Sequence, residues 1–132
     1  MSASESPTAI VVAGDEETRI LLRGLLRLHH FQVDGEAAGA PQALELLRDH
    51  RPSLLVADVN LAEGSPTSLV ADARALLPQL RVIMVAPASH PPPPATDPGR
   101  APDVVLFRPF RIRQFAEALL PAGSPPAGAG GT

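Results

Sequence analysis

The chain has 132 residues, 45% of them apolar but only 3% aromatic, with a formal charge of −3 and no cysteine. That length suits one domain whose core is filled by Leu, Val, Ile and Ala. The missing thiols exclude disulfides, thiolate catalysis and Cys-based zinc sites, and the acidic balance weighs against non-specific binding to nucleic-acid phosphates.

Met1 to Thr8 is polar and carries Glu5 where a signal peptide would have a basic segment and an apolar run. No apolar stretch approaches the roughly 20 residues that span a bilayer. A cytoplasmic protein with a protein partner, and with neither nucleic acid nor membrane, is the expectation. Every basic side chain is arginine, which together with the many Ala, Pro and Gly points to GC-biased coding and carries no functional meaning.

Ala9 to Ala13 (AIVVA) is a short β-branched run that predicts a strand. Ile20, Leu21, Leu25 and Leu28 then recur at helical spacing, with Asp15 placed to cap the helix and Glu16 and Glu17 placed to complement its dipole. Phe31 to Val33 predicts a second strand, and Pro41 opens a second helix through Ala43, Leu44, Leu46 and Leu47 that His50, Arg51 and Pro52 break. Leu54 to Ala57 is continuously apolar, as in a strand buried on both faces of a parallel sheet, and Asp58 ends it.

Ser65 and Pro66 predict the cap and first position of a third helix carrying Leu69, Val70, Ala73, Leu76 and Leu77, closed by Pro78. Val82 to Ala86 and Val104 to Phe107 predict the fourth and fifth strands, and Ile112, Phe115, Ala116 and Leu119 a last amphipathic helix. Between those strands the run Pro91 to Pro94, with Pro98-Gly99 after it, excludes the first half of any crossover helix. The organisation expected is a flexible N-terminus over 1–7, a domain over 8–120 and a disordered Pro/Gly/Ala tail over 121–132.

Alternating strands and helices predict an α/β, flavodoxin-like, doubly wound sheet of five parallel strands, (βα)5 with its fourth helix shortened or replaced by the Pro-rich loop. Ligands of such sheets bind outside the carboxyl ends of the strands, which gathers Ala13-Gly14, Asp58, Ala86 and Arg108 around one crevice.

AIVVAGDEETR, LLVADVNLAEG, VIMVA and LFRPF, in that order and spacing, resemble the response-regulator receiver domain of bacterial two-component systems over about Thr8 to Leu120. The resemblance implies a phosphate-accepting aspartate at Asp58, with the carbonyl of Asn60 as a metal ligand. It puts the acidic Mg²⁺-binding pair at Ala13 and Gly14, the hydroxyl position at Ala86, the lysine position at Arg108 and the aromatic switch position at about Val105. The family's Pro after Leu61 is Ala62, and its Asp/Asn-Gly turn is Ser65-Pro66.

Only the acceptor keeps its chemistry. Neither Ala13 nor Gly14 carries a carboxylate, and Asp15, one residue on, has a sufficient role as a helix cap; Asp15 and Asp58 are the acids a Mg²⁺ ion would have to use, and no resident cofactor is expected. Arg108 keeps the charge but not the compact shape of lysine, so it either pairs with Asp58 or turns to solvent. The reading favoured is a degenerate, pseudo-receiver-like domain acting as a signalling interaction module without ordinary Mg²⁺-dependent phosphorylation. Its surface is expected around Val105, Phe110 and Ile112, and its partner is a histidine kinase, a phosphotransfer protein or an output protein.

Two other readings stand beside it: a switch phosphorylated at Asp58 by a histidine kinase, and a small α/β ligand-binding domain outside signalling. No nucleophile and base stand in a recognisable arrangement, so an enzyme is not expected. Arg19, Arg23 and Arg27 repeat at helical spacing as a solvated face or a partner contact, while His29, His30, His50 and His90 lack metal-ligand spacing. No DNA-binding segment follows Leu120, so output is expected to pass through a partner or a further domain. The sequence leaves the oligomeric state open.

Overall fold

A computed structural model describes residues 7–89 and 101–120. The strands are β1 (Thr8–Val12), β2 (Gln32–Ala37), β3 (Leu54–Asp58), β4 (Arg81–Pro87) and β5 (Val104–Arg108). The helices are α1 (Glu16–Leu28), α2 (Ala40–His50), α3 (Pro66–Leu76) and α4 (Ile112–Ala118). All strand pairs are parallel, in the order β2-β1-β3-β4-β5. The Pro91–Pro94 crossover with His90, residues 1–6 of the expected N-terminal segment and the 121–132 tail lie outside the described residues.

Burial follows directly from the sheet order. β3 lies at the centre with all five residues buried, as its unbroken apolar run requires. One aliphatic layer joins Ile10, Val12, Leu55 and Met84 to α2 and α3, and the other joins Val11, Val56 and Val85 to Leu22, Leu26 and Phe115 of α1 and α4. β2 runs four residues beyond the Phe31–Val33 run that marks it in the sequence. It pairs only with β1, and an edge strand of this kind accommodates Asp34, Gly35 and Glu36 without a continuous apolar core face.

The buried face of α1 differs from the one its leucines suggest. Thr18, Leu22 and Leu26 are buried, whereas Ile20, Leu21 and Leu28 are 49%, 51% and 60% exposed. The helix carries two helically spaced aliphatic stripes, so periodicity alone does not distinguish them. In α4, similarly, Phe115 and Ala118 are buried and Ile112 is 58% exposed.

The caps agree with their sequence signals. The Asp15 side chain accepts from Thr18 N at 2.9 Å, and Ser65 Oγ accepts from Ser68 N at 3.2 Å with Pro66 opening α3. The turn before α3 is made one residue earlier than the resemblance places it, at Gly64, whose φ of +91° favours glycine. Where the chain re-enters the sheet, Asp103 Oδ2 accepts from Val82 N at 2.7 Å and from Arg74 Nη2 at 2.9 Å, which anchors the start of β5 to α3.

Candidate functional site at the strand ends

The carboxyl ends of β1, β3 and β5 meet around Asp58, which is 1% exposed. A carboxylate so buried must be hydrogen-bonded or paired. Here Oδ1 accepts from Asn60 N at 3.2 Å and Oδ2 lies 3.4 Å from Arg108 Nη1. Of the two courses open to Arg108 in the sequence, pairing with Asp58 is the one observed.

The same Nη1 donates to Thr18 Oγ1 at 3.4 Å, and that hydroxyl donates to Asp15 Oδ2 at 3.0 Å. A polar relay therefore runs Asp58, Arg108, Thr18, Asp15. Thr18 is the member that sequence reasoning missed. Its position three residues after the Asp15 cap was the available signal, since a first-turn hydroxyl there sits beside the strand ends. Asp15 faces its own helix start, with both contacts going to Thr18.

Ala13 and Gly14 hold this corner through their backbones. Ala13 is fully buried, its N–H donates to Ala37 O at 3.0 Å and its carbonyl accepts from Arg19 Nη1 at 2.7 Å. Gly14 N donates to Asn60 O at 2.8 Å, so the carbonyl that the resemblance makes a metal ligand is engaged by the β1–α1 loop. A Cβ on Gly14 would stand 3.0 Å from both Ala62 N and Asn60 O, against backbone that cannot swing aside. Gly14→Ala is therefore expected to destabilise the fold by about 1–2 kcal/mol in urea titration, as modest overpacking does. The family's acidic residue at this position is excluded by the same contact unless the two loops separate.

Ala86 is fully buried and one residue beyond Val85, the register partner of Asp58, so it offers the site a methyl group and no hydroxyl. Val105 and Phe110, expected with Ile112 on the interaction surface, are half-buried. Val105 packs against the α2–α3 layer, and Phe110 stacks on Phe115 with ring centroids 6.0 Å apart. Of the three residues only Ile112 is an exposed large hydrophobic; Phe107, on the opposite face of the sheet from α4, is 43% exposed.

The arginine stripe is not simply solvated. Arg19 and Arg23 both pair with Glu36, and Arg27 makes no ion pair among the described residues. His29 Nδ1 lies 2.9 Å from Leu25 O, and no three His, Asp or Glu converge as a metal site among the described residues. No helix among them is long and apolar enough to cross a membrane.

The chain superposes on the receiver domain of PhyR from Erythrobacter litoralis with a TM-score of 0.72 at 22% identity, covering 94% of this chain and 98% of that one. The signal receiver domain of the response regulator NarL from Mycobacterium tuberculosis gives 0.72 at 20% identity, covering 87% and 94%. The fold is that of a response-regulator receiver domain. In sequence, 83 residues are 29% identical to the transcriptional regulatory protein CitT of Bacillus subtilis (strain 168). That match spans 61% of this chain and 37% of that protein. No family model matches. Within the receiver fold, Asp58 stands at the end of β3 and Arg108 at the end of β5, where the sequence resemblance assigns the acceptor and the lysine.

Proposed function

We propose that this chain is an atypical receiver module for protein–protein interaction in signalling, with the charge of its acceptor position balanced by its own Arg108 in place of a divalent metal. The observation that carries the reading is the Arg108 Nη1 to Asp58 Oδ2 contact of 3.4 Å at a site where, among the described residues, no second carboxylate faces it.

Phosphoryl transfer to a carboxylate needs its developing charge neutralised, ordinarily by Mg²⁺ held between acids. The donor set here does not fit that ion. Ala13 and Gly14 supply no carboxylate, and Asp15 caps α1. Two unit charges about 4 Å apart interact by about 4 kcal/mol at an effective dielectric near 20, so each missing acid weakens ion binding by orders of magnitude. A guanidinium beside Asp58 adds repulsion to that loss.

The response to phosphate is missing as well as the means of acquiring it. Ala86 has no hydroxyl for a phosphoryl oxygen, and Val105, half-buried against the core, has no ring to change position. A switch needs an element that contacts the modified and unmodified states differently. Neither position supplies one. The partner is then read as a protein that recognises a constant surface, such as a kinase, a phosphotransfer protein or an output protein.

Backbone NMR of the protein with Mg²⁺ and beryllium fluoride tests this directly. No saturable shifts are expected at Asp58, Asn60 or Arg108. Saturable shifts that disappear in Asp58→Asn would establish the phosphorylated switch in place of the present reading.

A further inference from the structure

We propose that the outer face of α1 is an interface between two copies of this chain, packed as an antiparallel helix pair. Three large aliphatic side chains, Ile20, Leu21 and Leu28, stand 49%, 51% and 60% exposed on this one helix. A solvent-facing helix stripe is ordinarily polar. Gly24 sits among them, and a Cβ there would meet nothing within 4 Å. Glycine inside a helix costs stability, and no packing contact within the chain accounts for it. It leaves a notch in the middle of the apolar stripe.

The charges on this face point to a second copy in preference to a foreign partner. Glu16 and Glu17 stand exposed at the start of α1 and Arg27 at its end, and among the described residues none of the three makes an ion pair. Arg19 and Arg23, on the neighbouring face, are already bound to Glu36. The stripe thus reads acidic, apolar, basic along the helix. A two-fold axis reverses that order on the partner, making the patch complementary to itself.

The register follows from the notch. With the axis midway between residues 21 and 24, Leu21 of each copy lies over Gly24 of the other. Glu17 then falls level with Leu28 of the partner, one residue rise of about 1.5 Å from Arg27. Both Glu17–Arg27 pairs form together, and Ile20 lies on the same edge of the interface as Arg27 of the other copy, whose side-chain stem it can cover. A 13-residue helix is only about 20 Å long and makes less than a standard interface, so the association is weak and salt-sensitive. It does not depend on the state of Asp58.

Sedimentation velocity of the full chain at low salt, over about 0.01 to 1 mM, brackets the dissociation constants expected of so small a contact. A monomer–dimer equilibrium is expected. Gly24→Gln fills the notch while improving helix propensity, so it should stay folded by circular dichroism and weaken dimerisation about tenfold or more, as should Leu21→Glu. Glu17→Arg and Arg27→Glu should each weaken self-association, and mixing the two variants should restore a heterodimer, since both cross-pairs become opposite in charge. A protein monomeric throughout, a dimer indifferent to Gly24→Gln, or a mixture of the charge variants that fails to associate would each overturn the proposal. So would a different protein occupying this face while the chain itself remains monomeric.

Discussion

Arg108→Ala is expected to destabilise the fold by about 2–3 kcal/mol, a substantial part of the roughly 5–15 kcal/mol available to a domain. Removing one partner of a buried ion pair leaves the other charge uncompensated, which typically costs about 3–5 kcal/mol. The lower figure applies because the Arg108 side chain is 30% exposed and its contact is long at 3.4 Å, while Asp58 keeps the Asn60 N–H. Asp58→Asn should cost less, about 1 kcal/mol, since the guanidinium left behind can turn to water and keep Thr18 as an acceptor. Combining the two changes should restore part of the loss seen in Arg108→Ala alone, and urea titration of the four proteins gives the coupling as a double-mutant cycle. Equal costs for the two single variants, adding without coupling, would mean that Arg108 does not balance Asp58.

The element order was legible because each strand of this sheet, apart from one, is a compact apolar run set off by polar, Pro or Gly residues. Leu54–Ala57 is the clearest case, and β3 is buried along its whole length. β2 was legible only in its first residues, because an edge strand of sequence QVDGEA satisfies its backbone on one side and has little need of apolar side chains. The helix faces were the least legible part. Six aliphatics in α1 define two stripes of equal spacing, and the choice between them is made by tertiary packing: Leu22 and Leu26 fit against Val11 and Val56, which leaves Ile20 and Leu21 outside. The stacking of Phe110 was illegible for a similar reason. A residue just outside an element carries no periodicity to place it, and its stacking on Phe115 arises only once β5 and α4 are brought together.

Asp58 and Arg108 were legible as residues, because strand-end position follows from the topology and the topology from the runs. The contact between them was not, since they are fifty residues apart and pairing was only one of two courses open to a long cation. Thr18 was hidden by its local role. Its backbone N–H serves the Asp15 cap, a sufficient explanation in sequence, and the hydroxyl's place between Asp15 and Arg108 depends on how closely α1 approaches β5. Gly14 illustrates the converse. As a sequence feature it marks a missing carboxylate, whereas its backbone shows a positive requirement for glycine, to let the β1–α1 loop lie against Asn60 and Ala62.

Phe115→Ala is expected to have the largest effect of any single truncation considered, about 3–5 kcal/mol, the range for deleting a buried phenylalanine ring and leaving a cavity. Phe115 is fully buried and, among the described residues, the largest of the fully buried side chains. It stacks on Phe110 at 6.0 Å and lies 6.1 Å from the His29 ring at the end of α1. α4 has only seven residues, too few to hold together as a helix in isolation, and its other buried residue is the small Ala118. Its attachment to the sheet therefore rests on that ring and on the Ala118 carbonyl, which accepts from Arg81 Nε at 3.3 Å and Nη2 at 2.9 Å. Ile112→Ala, on the exposed side of the same helix, should change stability by no more than about 0.5 kcal/mol. Urea midpoints at unchanged m-value provide the comparison. Because Phe110 follows Arg108 by two residues, the loss of its stacking partner should also loosen the segment that holds the guanidinium, seen as broadened Arg108 side-chain resonances in Phe115→Ala. Equal losses at Phe115 and Ile112 would mean that α4 docks through both faces.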